Sequence, residues 1–207
     1  MKIHKNCYNS RKPVHGVGVN DSDYVTKNCQ YYTTWKEMLR RCYSAEYHAR
    51  KPTYIGCSVC EEWKTFSNFK TWMETQDWKD KQLDKDLLFP ENKVYSPETC
   101  IFIDNKLNML LTHQRSNKDL PVGVSYDSSR NLYRATCQDK DNKHTFLGRF
   151  KTVKEAHDTY RRYKAYILQE YLLEITEIKL LEGLKQHIRK LLMIWETPTY
   201  KIIPKTI

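Results

Sequence analysis

"LDKDLLFPENKVYSPETCIFIDNKLNMLL" occupies residues 83–111, and its reading decides the fold of the first half of the chain. Residues 83–88 read as a β-strand, 90–93 as a turn, and "CIFID" as the returning strand. A short helical pattern follows over 104–112 and presents Asn105 and Asn108, which are three apart and so share a helical face. Strand, strand, helix is the smallest unit that can clamp one metal between a strand and a helix. Asp84 and Asp86 supply carboxylates on the strand, and Asn105 and Asn108 supply amide oxygens on the helix. Such oxygen-rich sets can hold a magnesium ion against a phosphate. On a regular strand Asp84 and Asp86 share a face while Lys85 points away, so the three converge only at a strand end or a bulge. A plainer reading makes the same residues a solvated strand edge and a polar helix start.

Upstream, Trp35, Met38, Leu39 and Cys42 fall at helical spacing on one apolar face, and Thr34 with Glu37 makes a capping-box signal. "TYIGCSVC" reads as extended, and Trp63, Phe66, Phe69 and Met73 mark a second amphipathic helix. Residues 1–27 read as an irregular arm. Cys57 and Cys60 have metal-knuckle spacing, and Cys42 and Cys100 could complete a structural zinc site. Buried thiols explain these cysteines equally well, because Cys42 lies on an apolar helix face and no second CxxC is present.

Downstream, "HQRSNKDLP" is a polar linker that puts a domain boundary near residue 119. "VGVSYD", "LYRATCQD" and "HTFLGRF" read as three strands. In the middle one Tyr133, Ala135 and Cys137 face one side, and Arg134, Thr136 and Gln138 the other. A helix opens at Thr152 with a second capping box, Thr152 and Glu155, and buries Ala156, Tyr160 and Tyr163. The helical pattern then runs through Ile175, Ile178, Leu181, Leu184, Ile188 and Leu191 to Trp195. This last stretch folds back on its own domain or zips against a second copy, giving a monomer or a homodimer. The expected class is α+β, with an arm (1–27), a first domain (28–118), a second domain (119–171) and a C-terminal helix with tail (172–207).

Composition sets the class of partner. Forty per cent apolar and thirteen per cent aromatic residues argue for a folded chain. The formal charge is +10, with 35 Lys and Arg against 25 Asp and Glu over 207 residues. Both sides of residue 120 are cationic, with 19 basic against 15 acidic residues before it and 16 against 10 after, which suits a polyanionic partner. The seven cysteines form no regular framework, no apolar run is long enough for a bilayer, and no apolar segment follows the basic start. These features lead to the expectation of an intracellular protein that does not enter a membrane.

Two resemblances sharpen the expectation. Gly123-Val124, Tyr133-Arg134-Ala135, Leu147-Gly148-Arg149-Phe150 and Thr152 through Glu155-Ala156 to Tyr160 resemble the DNA-binding domain of plant ethylene-response factors (AP2/ERF type). That resemblance implies a three-stranded sheet in the major groove of double-stranded DNA, with a helix behind it. Ser125, Arg134, Thr136, Gln138, His144 and Phe146 would then face DNA, with Arg130 and Arg149 as additions. "TWKEMLRRCYS", "YIGCSVCEEWKTFSNFKTW", "LDKDLL" and "VYSPETCIFI" resemble a divergent group of HNH-type homing endonucleases of bacteriophages. That resemblance implies a ββα-metal nuclease domain acting in an infected bacterial cytoplasm.

By the same resemblance Asp84 or Asp86 takes the strand ligand position and Asn105 or Asn108 the helix position. Lys85 stands at or beside the place of the catalytic histidine, and Thr99 about where a central asparagine belongs. Lys85 suits an electrostatic stabiliser better than a base, since neighbouring aspartates hold an ammonium protonated. The base is left among Asp84, His113 and a metal-bound hydroxide. The expected activity is phosphodiester hydrolysis with Mg2+ or another divalent cation, nicking as a monomer or making paired cuts as a dimer. The alternative is an inactive nuclease scaffold serving as a DNA-binding regulator.

Overall fold

The apolar helical positions of the first half meet in one core. In a computed structural model of the chain, which describes residues 11–111, 119–141 and 143–193, Trp35, Met38, Leu39 and Cys42 are all buried on helix α1 (Gln30–Tyr43). The expected capping box at Thr34 is corrected: the helix begins earlier, at Gln30, so Thr34 and Glu37 lie inside it. Tyr31 and Tyr32 pack against the core and extend the helix upstream of the apolar signal. Helix α2 (Ala45–Arg50) follows, capped by Ser44, whose side chain accepts the Tyr47 N–H. "TYIGCSVC" is mostly turn rather than extended: a 3-10 turn at Pro52–Tyr54 precedes the two-residue strand β1 (Ser58–Val59). Trp63 lies in another 3-10 turn, and Phe66, Phe69 and Met73 are buried on α3 (Phe66–Glu74).

Strand β2 (Lys81–Asp84), strand β3 (Val94–Tyr95), strand β4 (Ile101–Asp104) and helix α4 (Asn105–Leu111) complete this part. β1 and β3 pair in parallel, while β2 and β4 pair antiparallel with Asp84 opposite Ile101 and Lys81 opposite Asp104. The expected strand over 83–88 is therefore shorter and displaced towards the N-terminus.

Residues 11–27 are tied to this core rather than free of it. The Val19 N–H donates to the Lys64 carbonyl at 2.8 Å, and the Phe66 N–H to the Val19 carbonyl at 2.9 Å. Gly18 sits where any Cβ would strike Leu39 and Trp35.

The chain divides into two compact units, Met1–Met109 and Leu110–Ile207. The second is built on a three-stranded antiparallel sheet of β5 (Val124–Asp127), β6 (Leu132–Gln138) and β7 (His144–Phe150), in that order. Helix α5 (Val153–Leu172) covers one face, burying Ala156 and Tyr160 over Val124 and Ala135. Both halves of the expected capping box at its start are formed, between Thr152 and Glu155. The expected continuous helix is interrupted after Leu172, and α6 (Ile178–Met193) returns along α5. Its apolar positions Leu180, Leu184 and Ile188 are buried, and the Leu191 carbonyl accepts the Arg161 Nε–H at 2.7 Å. Trp195, the tail, most of the linker and His113 lie outside the described residues. Helix and small sheets thus form a mixed α+β protein. Among the described residues no helix is long and apolar enough to cross a membrane.

Gly123 shows how closely the helix is seated. Its φ is +79°, and an added Cβ would stand 2.1 Å from Tyr160 Cδ2. Gly123→Ala combines a left-handed backbone with a clash against a buried ring, so chemical denaturation should register a loss of about 3 kcal/mol. A loss under about 1 kcal/mol would contradict this packing.

Candidate functional site

β2 stops at Asp84 because the Asp84 side chain ends it. Its Oδ1 accepts the backbone N–H of Asp86 at 2.9 Å and of Leu87 at 2.7 Å, folding residues 85–88 into a bend. Short aspartates favour such self-bonded turns. Side chains past the bend no longer alternate. Lys85 turns inward and is only 5% exposed. Its Nζ donates to the Asn92 carbonyl at 2.8 Å and to the Asp86 carboxylate, and lies 5.9 Å from the centroid of the Tyr95 ring. A buried ammonium is tolerable only when paired in this way.

Asn92 closes the lock. Its Nδ2 donates to the Lys85 carbonyl at 3.1 Å and the Val94 carbonyl at 2.6 Å, while Oδ1 accepts the Val94 N–H at 3.1 Å. The residue that holds Lys85 is therefore Asn92. Thr99, expected near that position, instead donates to the Val94 carbonyl at 2.7 Å and accepts the Ser96 N–H at 3.1 Å. The turn signal in "PENK" was legible; the partner of its asparagine was not.

On the helix side Asn105 and Asn108 do share a face that meets β2, but through Gln82, which sequence reasoning missed. The Gln82 Nε2 donates to Asn105 Oδ1 at 3.0 Å, and Asn108 Nδ2 donates to Gln82 Oε1. Gln82 and Asp84 are two apart on β2 and thus lie on one face of the strand. Asp104 accepts the Leu107 N–H at 2.8 Å and caps α4. The outcome is a strip of oxygens, Asp84 with the amides of Gln82, Asn105 and Asn108. Among the described residues no three His, Cys, Asp or Glu side chains come together as a metal site. The strip fits a hard cation held by few protein oxygens and several waters, the habit of Mg2+. Burial pushes the Asp84 carboxyl upward, a shift that a bound cation would oppose. Asp86 is turned to the Lys85 ammonium.

The four cysteines considered for zinc serve as core. Cys42, Cys57 and Cys100 are buried beside Trp35, Trp63 and Phe102, with Cys60 partly buried against them. Burial raises the thiols of Cys42 and Cys100 to about 12 each. All four are free thiols.

The second unit presents the outer face of its sheet. Ser125 opposes Arg134, Arg134 opposes Arg149, Thr136 opposes Phe146, and Gln138 opposes His144, so these seven share that face. Phe146 and Arg149 are an odd number of residues apart, which a regular strand would send to opposite sides. A register shift at Ala135/Thr136 brings them together, with Gly148 at φ +137°. Phe146, 48% exposed, then lies between two guanidiniums, 5.3 Å from Arg134 and 5.1 Å from Arg149. Arg149 also donates to Asp127 at 2.9 Å, and Arg130 sits 3.8 Å from the same carboxylate. Ser129 and Arg149 hold the Asp127 carboxyl down at about 2. Arg130 and Arg149, expected as added cations, are thus partly neutralised.

No family model, curated protein or solved structure matches the chain.

Removing the Asn92 side chain deletes three hydrogen bonds and leaves the Lys85 carbonyl short of a donor. Asn92→Ala should cost about 2–3 kcal/mol in denaturant unfolding and open Lys85 to amine acylation. Unchanged stability together with an unlabelled Lys85 would show that the lock is unimportant.

Proposed function

We propose that the protein is a metal-dependent DNA endonuclease of the HNH kind, with a sheet in its second unit that docks on double-stranded DNA. The observation that carries this reading is the strip of Asp84, Gln82, Asn105 and Asn108 oxygens next to the buried ammonium of Lys85. Asp84 with Asn105 or Asn108 would hold one Mg2+, which when bound neutralises a phosphate oxygen and assists the leaving group. Lys85, paired with Asp86, would contribute positive charge beside the phosphate. The Asn92 backbone carbonyl accepts a hydrogen bond from that ammonium, and the Asn92 side chain ties down the Lys85 carbonyl.

The outer sheet face supports docking on DNA: Arg134 and Arg149 flank an exposed ring, and Thr136 and Gln138 offer groups suited to base edges and phosphates. The AP2/ERF resemblance gives this face its expected seat in the major groove. One observation favours the second reading, a DNA-binding regulator without catalysis. Lys85 is occupied by Asp86 and the Asn92 carbonyl, and the described β2–β4 pair carries no histidine to serve as base.

Supercoiled plasmid incubated with the purified protein separates the two. Nicking that appears with Mg2+ and stops with chelator is expected. Asp84→Ala and Asn108→Ala should each slow it about 100-fold, and Asp86→Ala less. Retarded plasmid with no metal-dependent nicking would establish the regulator instead.

A further inference from the structure

Four side chains on the outer sheet face of the second unit are joined into one cluster. Arg134 on β6 and Arg149 on β7 are cross-strand partners, and their guanidiniums lie 5.3 and 5.1 Å from the centroid of the Phe146 ring. The Arg149 Nε donates to Asp127 Oδ2 at 2.9 Å, and the Asp127 Oδ1 accepts the Ser129 hydroxyl at 2.7 Å. Among the described residues this bond through Nε is the only one the Arg149 side chain makes. Arg134, Phe146 and Arg149 are all exposed.

A guanidinium held at Nε keeps its two terminal nitrogens for a second partner. Their N–H donors match the O6 and N7 acceptors that guanine displays in the major groove. A fork already fixed in place loses less freedom on binding than a mobile one. The Asp127 carboxyl is held down at about 2, so the brace persists at neutral pH. A phosphate would need no such brace, and the neighbouring carboxylate would repel it. Arg149 therefore suits an uncharged base edge better than the DNA backbone.

Phe146 narrows the reading further. In an intact duplex the base faces are stacked on one another, so a sheet in the major groove meets only base edges. The apolar group displayed there is the C5 methyl of thymine. The Arg149 guanidinium and the Phe146 ring centre are 5.1 Å apart. Adjacent base pairs are stacked about 3.4 Å apart, and an offset across the groove lengthens that span, whereas pairs two steps apart are separated by about 6.8 Å at least. The two contacts thus suit neighbouring base pairs.

We propose that this cluster selects a guanine and a thymine on neighbouring base pairs, with Arg149 on the guanine O6 and N7 and Phe146 against the thymine methyl. Asp127 is the positioning residue that aims Arg149. The inference rests on the docking reading of this face and names the bases it selects; it does not depend on whether the first unit cuts DNA. Ring and braced fork come together only through the register shift at Ala135/Thr136.

The test uses the full chain with chelator present, and duplexes recovered from a randomised pool by repeated binding. Recovered duplexes should share a guanine and a thymine on adjacent base pairs. Uracil in place of that thymine removes only the methyl and should weaken binding about fourfold. Replacing the guanine by 7-deazaguanine removes N7 and should weaken it about tenfold. Phe146→Ala should bind the thymine and uracil duplexes alike, and Phe146→Leu should keep part of the difference. Asp127→Asn should shrink the 7-deazaguanine penalty and leave the uracil penalty as it was. If Phe146→Ala fails to fold, Phe146→Leu and the substituted duplexes on the wild type carry the comparison. Recovered duplexes with no shared sequence, a uracil duplex bound as tightly as its parent, or a uracil penalty that survives in Phe146→Ala would each overturn the base reading while docking stands. Failure to retain any duplex at low salt would overturn docking and the base reading together.

Discussion

A lysine ammonium, buried at the end of a four-residue strand, organises the first unit. Placing Lys85 inside the protein is favourable only because Asp86, the Asn92 carbonyl and the Tyr95 ring receive it. Those partners exist only because Asp84 terminates β2 and bends the chain. Asn92 then ties the far side of the loop back to the Lys85 carbonyl and leads into β3. Register in the β2–β4 pair follows, and with it the alignment of Gln82 and Asp84 with α4. One desolvated charge thereby sets both the loop and the oxygen strip.

Much of the fold was legible in the chain because it depends on local periodicity. The α1 and α3 faces, the three strands of the second unit and the Thr152–Glu155 cap each follow from residues within a few positions of one another. The failures have a common cause. Thr34 and Glu37 have the spacing of a cap but lie inside a helix that long-range packing of Tyr31 and Tyr32 extends. The strand expected over 83–88 ends at Asp84, since the Asp84 carboxylate competes with the ladder for backbone N–H groups. Asn92, rather than Thr99, meets Lys85 because the loop brings residues 85 and 92 together, a closure that no local pattern announces. Gln82 was invisible for a similar reason: its role depends on which strand face α4 lies over.

The second unit shows a related effect on a surface. Alternation along β6 predicted its two faces correctly, but Phe146 and Arg149 share a face only through the irregularity opposite Ala135 and Thr136. That irregularity places a ring between two guanidiniums, while Asp127 restrains Arg149 from the side. Charge on this face is ordered by an acidic neighbour, so a count of arginines overstates what is available to a phosphate backbone.

The central claim is that a cation binds between the end of β2 and the asparagine face of α4. Paramagnetic broadening by Mn2+ tests it most directly, since the effect is local and needs neither DNA nor turnover. Substoichiometric Mn2+ should broaden the NMR signals of Gln82, Asp84, Asn105 and Asn108 before those of Cys57, Cys60 or the sheet of the second unit, and excess Mg2+ should restore them. Signals of the strip that stay sharp while others broaden would contradict the account.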